Sequence, residues 1–257
     1  MQANDSENWA VVTGASDGIG RALSLVLGAK GYSVIAVGRS EAKLMALESS
    51  FTGSGKILTH SVDLSVPGSA AVLESLVAGK NVTVFAPAAG FGSSGNFTGL
   101  NLQNELSMID VNCRSVVEQT QWFAQAFAAH GTGSIVLFSS LLGTAGAGTS
   151  AVYAATKNFI HAFAEGLRQE LKKSGVNVLT VCPGPTTSGF AQVSQMTYSG
   201  ADTAEDVAKG IVRSISKNGT IYPAPRARLL GFTLGTVPRS LRVGILTSVM
   251  SGLQQKH

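Results

Sequence analysis

Short β-branched runs alternate with helical patterns along almost the whole chain, and this alternation restricts the possible folds more than any other feature. WAVVT (9–13) precedes a helix beginning near Gly18, and SVIAV (33–37) precedes the polar-faced SEAKLMALESSF. KILTHSV (56–62) precedes a helix after Pro67, and VTVFA (82–86) leads into a long helical pattern over roughly 101–130. SIVLFSS (134–140) precedes a helix containing YAATK; VNVLTVC (176–182), a helix over TAEDVAKGIVRSI and a short strand near TIYP complete the series. The strands are nearly continuous apolar runs, as expected where helices cover both faces of a sheet. Regular strand–helix alternation predicts an α/β fold: one doubly wound parallel sheet, flanked by helices, with right-handed crossovers. At 257 residues, 44% hydrophobic and 13% charged, with no repeat or linker, one domain suffices.

The first strand runs directly into TGASDGIG, Thr13 to Gly20, with glycines at 14, 18 and 20. Glycine permits a tight turn and close approach of backbone to a phosphate. The following helix N-terminus offers free N–H groups and a positive dipole end. Alone, such a turn is often an ordinary loop. Between a strand and a helix it predicts dinucleotide binding.

The glycine spacing is G-x-x-x-G-x-G, and YAATK (Tyr153 to Lys157) follows it far downstream. In this order the two motifs resemble the short-chain dehydrogenase/reductase family in its classical form, over roughly residues 8–223. The resemblance implies a Rossmann-type fold, with a catalytic domain over 1–225 and a helical extension over 226–257. It implies a cofactor site that includes Gly14, Ser16, Asp17, Gly18, Ile19 and Gly20.

The end of the second strand bears on which cofactor. NAD binders place an acid there for the ribose 2′-OH, but this chain has Arg39, in VGRS. A carboxylate would repel a 2′-phosphate, whereas a guanidinium holds one with a charge-assisted fork. NADP(H) is therefore expected. Asp63 and Leu64 match the pair that the family sets against the adenine ring. Asp17 departs from many NADP-dependent relatives, which carry a basic residue there, although relatives acting on fatty-acyl and steroid ketones share the Asp.

YAATK places a phenol and an ammonium at i and i+4, on one helical face, with small residues between them. Free Tyr titrates near pH ~10; a nearby cation favours the phenolate and makes it a usable acid/base. The resemblance implies that Tyr153 passes a proton to a substrate carbonyl oxygen, while Lys157 holds the nicotinamide ribose. Ser140, at the end of SIVLFSS beside Ser139, would hydrogen-bond that carbonyl. Asn112, in IDVNC, matches the Asn that kinks the long helix and supports a water relay to Lys. Pro183, Gly184 and Thr186, in CPGPTTSGF, match the segment lying along the nicotinamide. One departure is PAAG (Pro87 to Gly90) where the family has NNAG, so two strand-knitting Asn side chains are missing. AGFGSSGNF is like a subgroup with broad substrates.

Other features narrow the function. All fifteen acidic residues precede residue 207, against eleven of nineteen basic ones; the body carries −4 and the remainder +8. A basic nucleic-acid face on the body is thus not expected. Four histidines lack ligand spacing, so no metal site is expected. The opening MQANDSENW has no apolar leader, and two cysteines make no disulfide framework; a cytoplasmic, reducing setting is expected. Phe159, Ile160, Phe163 and Leu167 form an apolar stripe suited to core or to a homodimer or homotetramer interface. The loop PTTSGFAQVSQMTYSGA is neutral, which favours an apolar ketone or alcohol.

The stretch 226–253 has too many Gly, Pro and Arg to span a bilayer. It is expected to cap the cleft or an interface; the alternative is a peripheral anchor serving a reductase of lipid, acyl or steroid ketones. Two further readings belong to other classes. A non-catalytic NADP(H)-sensing protein typically lacks the Tyr or Lys, and a sugar-nucleotide epimerase or dehydratase has other glycine spacing and a longer substrate domain.

Overall fold

The computed structural model describes residues 7–187, 189 and 200–253. Seven parallel strands form the sheet: β1 (Asn8–Thr13), β2 (Ser33–Gly38), β3 (Ile57–Ser61), β4 (Asn81–Pro87), β5 (Gly133–Phe138), β6 (Val176–Val181) and β9 (Gly219–Ile221). Their order is β3-β2-β1-β4-β5-β6-β9. Successive residues alternate between the two sheet faces. Ala10, Val12, Val34 and Ala36 pack with Leu23 and Leu27 of α1 (Gly18–Ala29), Leu44 and Leu47 of α2 (Glu41–Ser49), and Ile211 of α7 (Ala204–Val212). Trp9, Val11, Ile35 and Val37 pack on the other face with Leu73 of α3 (Ser69–Val77), Phe123 of α5 (Ser115–His130) and Ile160 of α6 (Ala151–Glu170). Both faces are covered, so the strands are apolar throughout. Edge strands β3 and β9 are the exceptions: both are partly exposed, which in β3 accommodates His60.

Chain order reverses between β1 and β4, so the connections leaving their carboxyl ends diverge and open a crevice there. The long helical pattern over 101–130 is divided at Asn112, where the resemblance implied a kink. α4 (Leu102–Ile109) passes into one π-helical turn, Asp110–Arg114, before α5. The inserted turn carries Asn112 inward, where its side chain bonds another segment. A short parallel ladder of β7 (Thr186–Thr187) and β8 (Asp202–Thr203) was not evident in the sequence.

Beyond β9, α8 (Pro225–Thr236) starts with Pro at its first position, and α9 (Arg239–Leu253) follows Pro238. Leu234, Leu246 and Met250 pack against Leu141, Leu142 and Tyr153. Two clamps fix α9: Gly148 N–H donates to Thr247 Oγ1 (2.8 Å), and Arg242 donates to the Thr144 and Val237 carbonyls. Leu229, Phe232 and Leu241 remain exposed on the outer side. Among the described residues no helix is long and apolar enough to cross a membrane.

Candidate active site

A cleft of about 660 Å³ runs from Arg39 and Asp63 at one end, past the glycine turn, to Met250 at the other. The turn is built for close backbone packing. Gly14 has φ +65°, and a Cβ there would lie 2.6 Å from the Ala89 nitrogen; one on Gly20 would lie 2.4 Å from the Gly14 carbonyl oxygen. Side chains are thus excluded where β1, the turn and the start of α1 meet. Ser16, Gly18 and Ile19 line the same wall. This cradle fits a dinucleotide phosphate. PAAG still supports the turn through backbone: Ala89 N–H donates to Thr13 Oγ1 (3.3 Å).

Asp17 caps α1, its Oδ1 accepting from Gly18 N–H at 2.7 Å, and its Oδ2 pairs with Lys43. Burial raises its carboxyl pKa, but Lys43 and the backbone N–H donors outweigh this and hold it below the usual range. Arg39 is exposed at the cleft's end. Asp63 Oδ1 accepts from Ser65 N–H (2.9 Å) and Oγ (2.7 Å), bonds that lower its pKa, while Leu64 is buried beside it.

Asn112 reads both backbone groups of Phe91: Oδ1 accepts from Phe91 N–H at 3.1 Å, and Nδ2 donates to its carbonyl at 2.9 Å. Nδ2 also donates to Thr156 Oγ1 (3.1 Å), whose hydroxyl donates to the Tyr153 carbonyl (2.8 Å). Asn112 therefore ties the π-turn to the loop after β4 and to α6. Lys157 Nζ lies 5.8 Å from the Tyr153 ring centre and donates to the Phe138 carbonyl at 3.0 Å. Both side chains are buried, and burial pushes the Lys157 ammonium down to about 8, an effect the nearby thiols only partly oppose.

The two serines after β5 face opposite ways. Ser139 is buried and donates to the Lys157 carbonyl (2.9 Å); Ser140 lines the cleft and accepts from Leu142 N–H (3.2 Å). Pro183, Gly184 and Thr186 line the cleft, with Thr186 Oγ1 donating to the Gly184 carbonyl (3.0 Å). Asn112 does not line it, acting one layer behind. Cys113 and Cys182 are buried free thiols, both pushed up by burial to about 11. Among the described residues no three metal-binding side chains converge.

Sequence reasoning missed Lys43 and, having expected the tail to cap the cleft or an interface, did not name Leu230, Leu246 and Met250 as its lining residues. The spacing of Lys43 four residues after Arg39, across a helix start, was an available signal. Most of the neutral loop within 185–201, the opening 1–6 and the end 254–257 lie outside the described residues.

The short chain dehydrogenase family profile matches residues 8–198. An uncharacterized oxidoreductase of Staphylococcus epidermidis is 29% identical over 217 residues, covering 84% of this chain and 94% of that one. A solved 7β-hydroxysteroid dehydrogenase superposes with a TM-score of 0.84 at 22% identity, covering 96% and 99% of the two chains. A short-chain dehydrogenase from Sphingobium yanoikuyae, solved in complex with NADPH, superposes with a TM-score of 0.79 at 23% identity, covering 98% of each. With a Rossmann-type sheet and a family match over most of its length, the chain belongs to the short-chain dehydrogenase/reductase family of oxidoreductases.

Proposed function

We propose that the chain is an NADP(H)-dependent carbonyl reductase, working in reverse as an alcohol dehydrogenase on secondary alcohols. The observation that carries this is one continuous cleft, with the glycine turn and Arg39 at one end and Ser140 and Tyr153 further along. The S. yanoikuyae neighbour, solved with NADPH, supports the cofactor. When bound, the cofactor supplies the hydride. Gly14, Ser16, Asp17, Gly18, Ile19 and Gly20 would hold its phosphates, Arg39 its 2′-phosphate, and Asp63 and Leu64 its adenine. Pro183, Gly184 and Thr186 would border the nicotinamide.

The residues divide the proton chemistry. Ser140 donates a hydrogen bond to the substrate carbonyl and orients it. Tyr153 gives its hydroxyl proton to the carbonyl oxygen as that oxygen becomes an alkoxide. The Lys157 ammonium stabilises the phenolate left behind and holds the nicotinamide ribose. Asn112 keeps α6 and the loop after β4 in register. In this reading 1–225 is the catalytic domain and 226–257 an extension of it, whose described part, 226–253, borders the cleft. The wall contributed by α8 and α9 includes Leu230, Leu234, Leu246 and Met250 and no charged side chain, which favours an apolar ketone.

Exposed Leu102, Leu106, Ile109 and Phe159 on the adjoining α4 and α6 support a homodimer or homotetramer. Two free buried cysteines suit a cytoplasmic setting. The test is NADPH consumption across a panel of ketones, with Tyr153→Phe as control. That variant should bind NADPH as wild type does while losing about 10²–10⁴-fold in kcat. Near-normal turnover without the hydroxyl would end the mechanism.

A further inference from the structure

The Asp in the glycine turn has a structural counterpart 26 residues downstream, Lys43. Bare, the Asp17 carboxylate would place a negative charge beside bound cofactor phosphates. Lys43, from the first turn of α2, pairs with it across the cleft wall. Both side chains are about half-exposed, at 57% for Lys43 and 43% for Asp17, so the ammonium keeps access to the cleft. Ser40 caps α2, accepting from Lys43 N–H at 3.4 Å, which sets the Lys43 backbone one turn from Arg39. Arg39, Ser40 and Lys43 line the same end of the cleft. With Asp17 and with Asp63 beside Arg39, the formal charges at this end sum to zero; without Lys43 the sum would be −1. The α2 N-terminus adds its own positive dipole end.

We propose that Lys43 is the second cation of the 2′-phosphate site, anchored there by Asp17 in place of a basic residue within the turn itself. This rests on the NADP(H) reading above and adds a residue to it. Lys43 shares the ribose phosphate with Arg39, and Asp17 stops the flexible lysine stem from swinging into solvent. The arrangement makes the acid in the turn compatible with a phosphorylated ribose. A short, rigid acceptor holds a long, mobile donor where the ligand needs it.

The test measures binding rather than turnover. Adenosine 2′,5′-bisphosphate and adenosine 5′-monophosphate, which differ by the 2′-phosphate alone, are titrated into wild type, Lys43→Met and Lys43→Arg by calorimetry. Thermal melts show that each variant is folded. Lys43→Met should lose about tenfold in affinity for the bisphosphate and less than about twofold for the monophosphate, as expected for one charge-assisted contact. Lys43→Arg should stay within about threefold of wild type for both. Equal losses for the two nucleotides in Lys43→Met would make Lys43 a support of the turn only and overturn the proposal, as would no loss at all. A wild type that does not distinguish the two nucleotides would overturn the NADP(H) reading itself, and the proposal with it.

Discussion

Lys157 is held in a place that costs the empty protein stability, and replacing it should show how much. Its stem and ammonium are buried, and the ammonium donates to the Phe138 carbonyl at 3.0 Å. Burial takes its pKa from 10.5 to about 8. At about 1.4 kcal/mol per unit, keeping the ammonium charged in the folded state costs on the order of 3 kcal/mol near neutral pH. Lys157→Met keeps the stem and removes the charge. It also forfeits the bond to Phe138, worth about 1 kcal/mol, so the net gain should be about 2 kcal/mol. For a chain of this size that raises Tm by about 4–8 °C.

The pH dependence follows with a definite sign. Lys157 is depressed in the folded state, so the penalty is fully present below about pH 8, where both states are protonated. As pH climbs from about 8 towards 10.5, the native state releases its proton first, and wild-type stability rises relative to the variant. Thermal melts of both proteins without cofactor, from neutral pH to near pH ~10, check this; the Tm gap should close across that window. Cofactor is left out because its phosphates would alter the local field. The variant should at the same time lose turnover. A lower Tm for Lys157→Met at neutral pH, with a gap indifferent to pH, would refute a buried uncompensated ammonium.

Arg39→Ala should raise the KM for NADPH by about tenfold or more, a loss of 1.5–3 kcal/mol for a charged hydrogen bond, and leave NADH kinetics nearly unchanged; equal effects on both cofactors would make Arg39 a support of the fold. Ending the chain at Pro225 should abolish turnover, because it removes Leu234, Leu246 and Met250 from the apolar cluster that contains Tyr153. The full chain should float little with anionic liposomes. Arg226, Arg228 and Arg242 already donate to backbone carbonyls of Gly200, Tyr222 and Thr144, which leaves few guanidinium groups for lipid phosphates. Strong, salt-sensitive flotation that disappears with the tail would overturn that expectation in favour of a peripheral anchor.

What was legible in the sequence is what local chemistry dictates. Nearly continuous apolar runs had to be strands buried on both faces, and β1 and β2 do divide their side chains between the two cores. Gly14 and Gly20 were legible because a Cβ at either would strike backbone. The π-turn was hidden because one extra residue leaves the apolar pattern of 101–130 almost unchanged, so only its consequence, the inward Asn112, carried a signal. Ser139 and Ser140 stand side by side in sequence, yet strand alternation sends one to the Lys157 carbonyl and the other to the cleft.

The Asp17–Lys43 pair was hidden for a different reason. It joins residues 26 apart through the placement of α2 beside the turn, a tertiary fact with no local pattern. The tail was the least legible, because its apolar residues surround both helices and periodicity selects no inner face. Docking makes that selection: Leu246 and Met250 turn towards Tyr153, while Leu241 stays out. The clamps from Thr247 and Arg242 hold α9 to the segment just ahead of α6. The wall expected to set substrate size is therefore tied to the helix that carries the proton donor. Changes in the tail should alter kcat as well as KM, because they shift Tyr153 as well as the space in front of it.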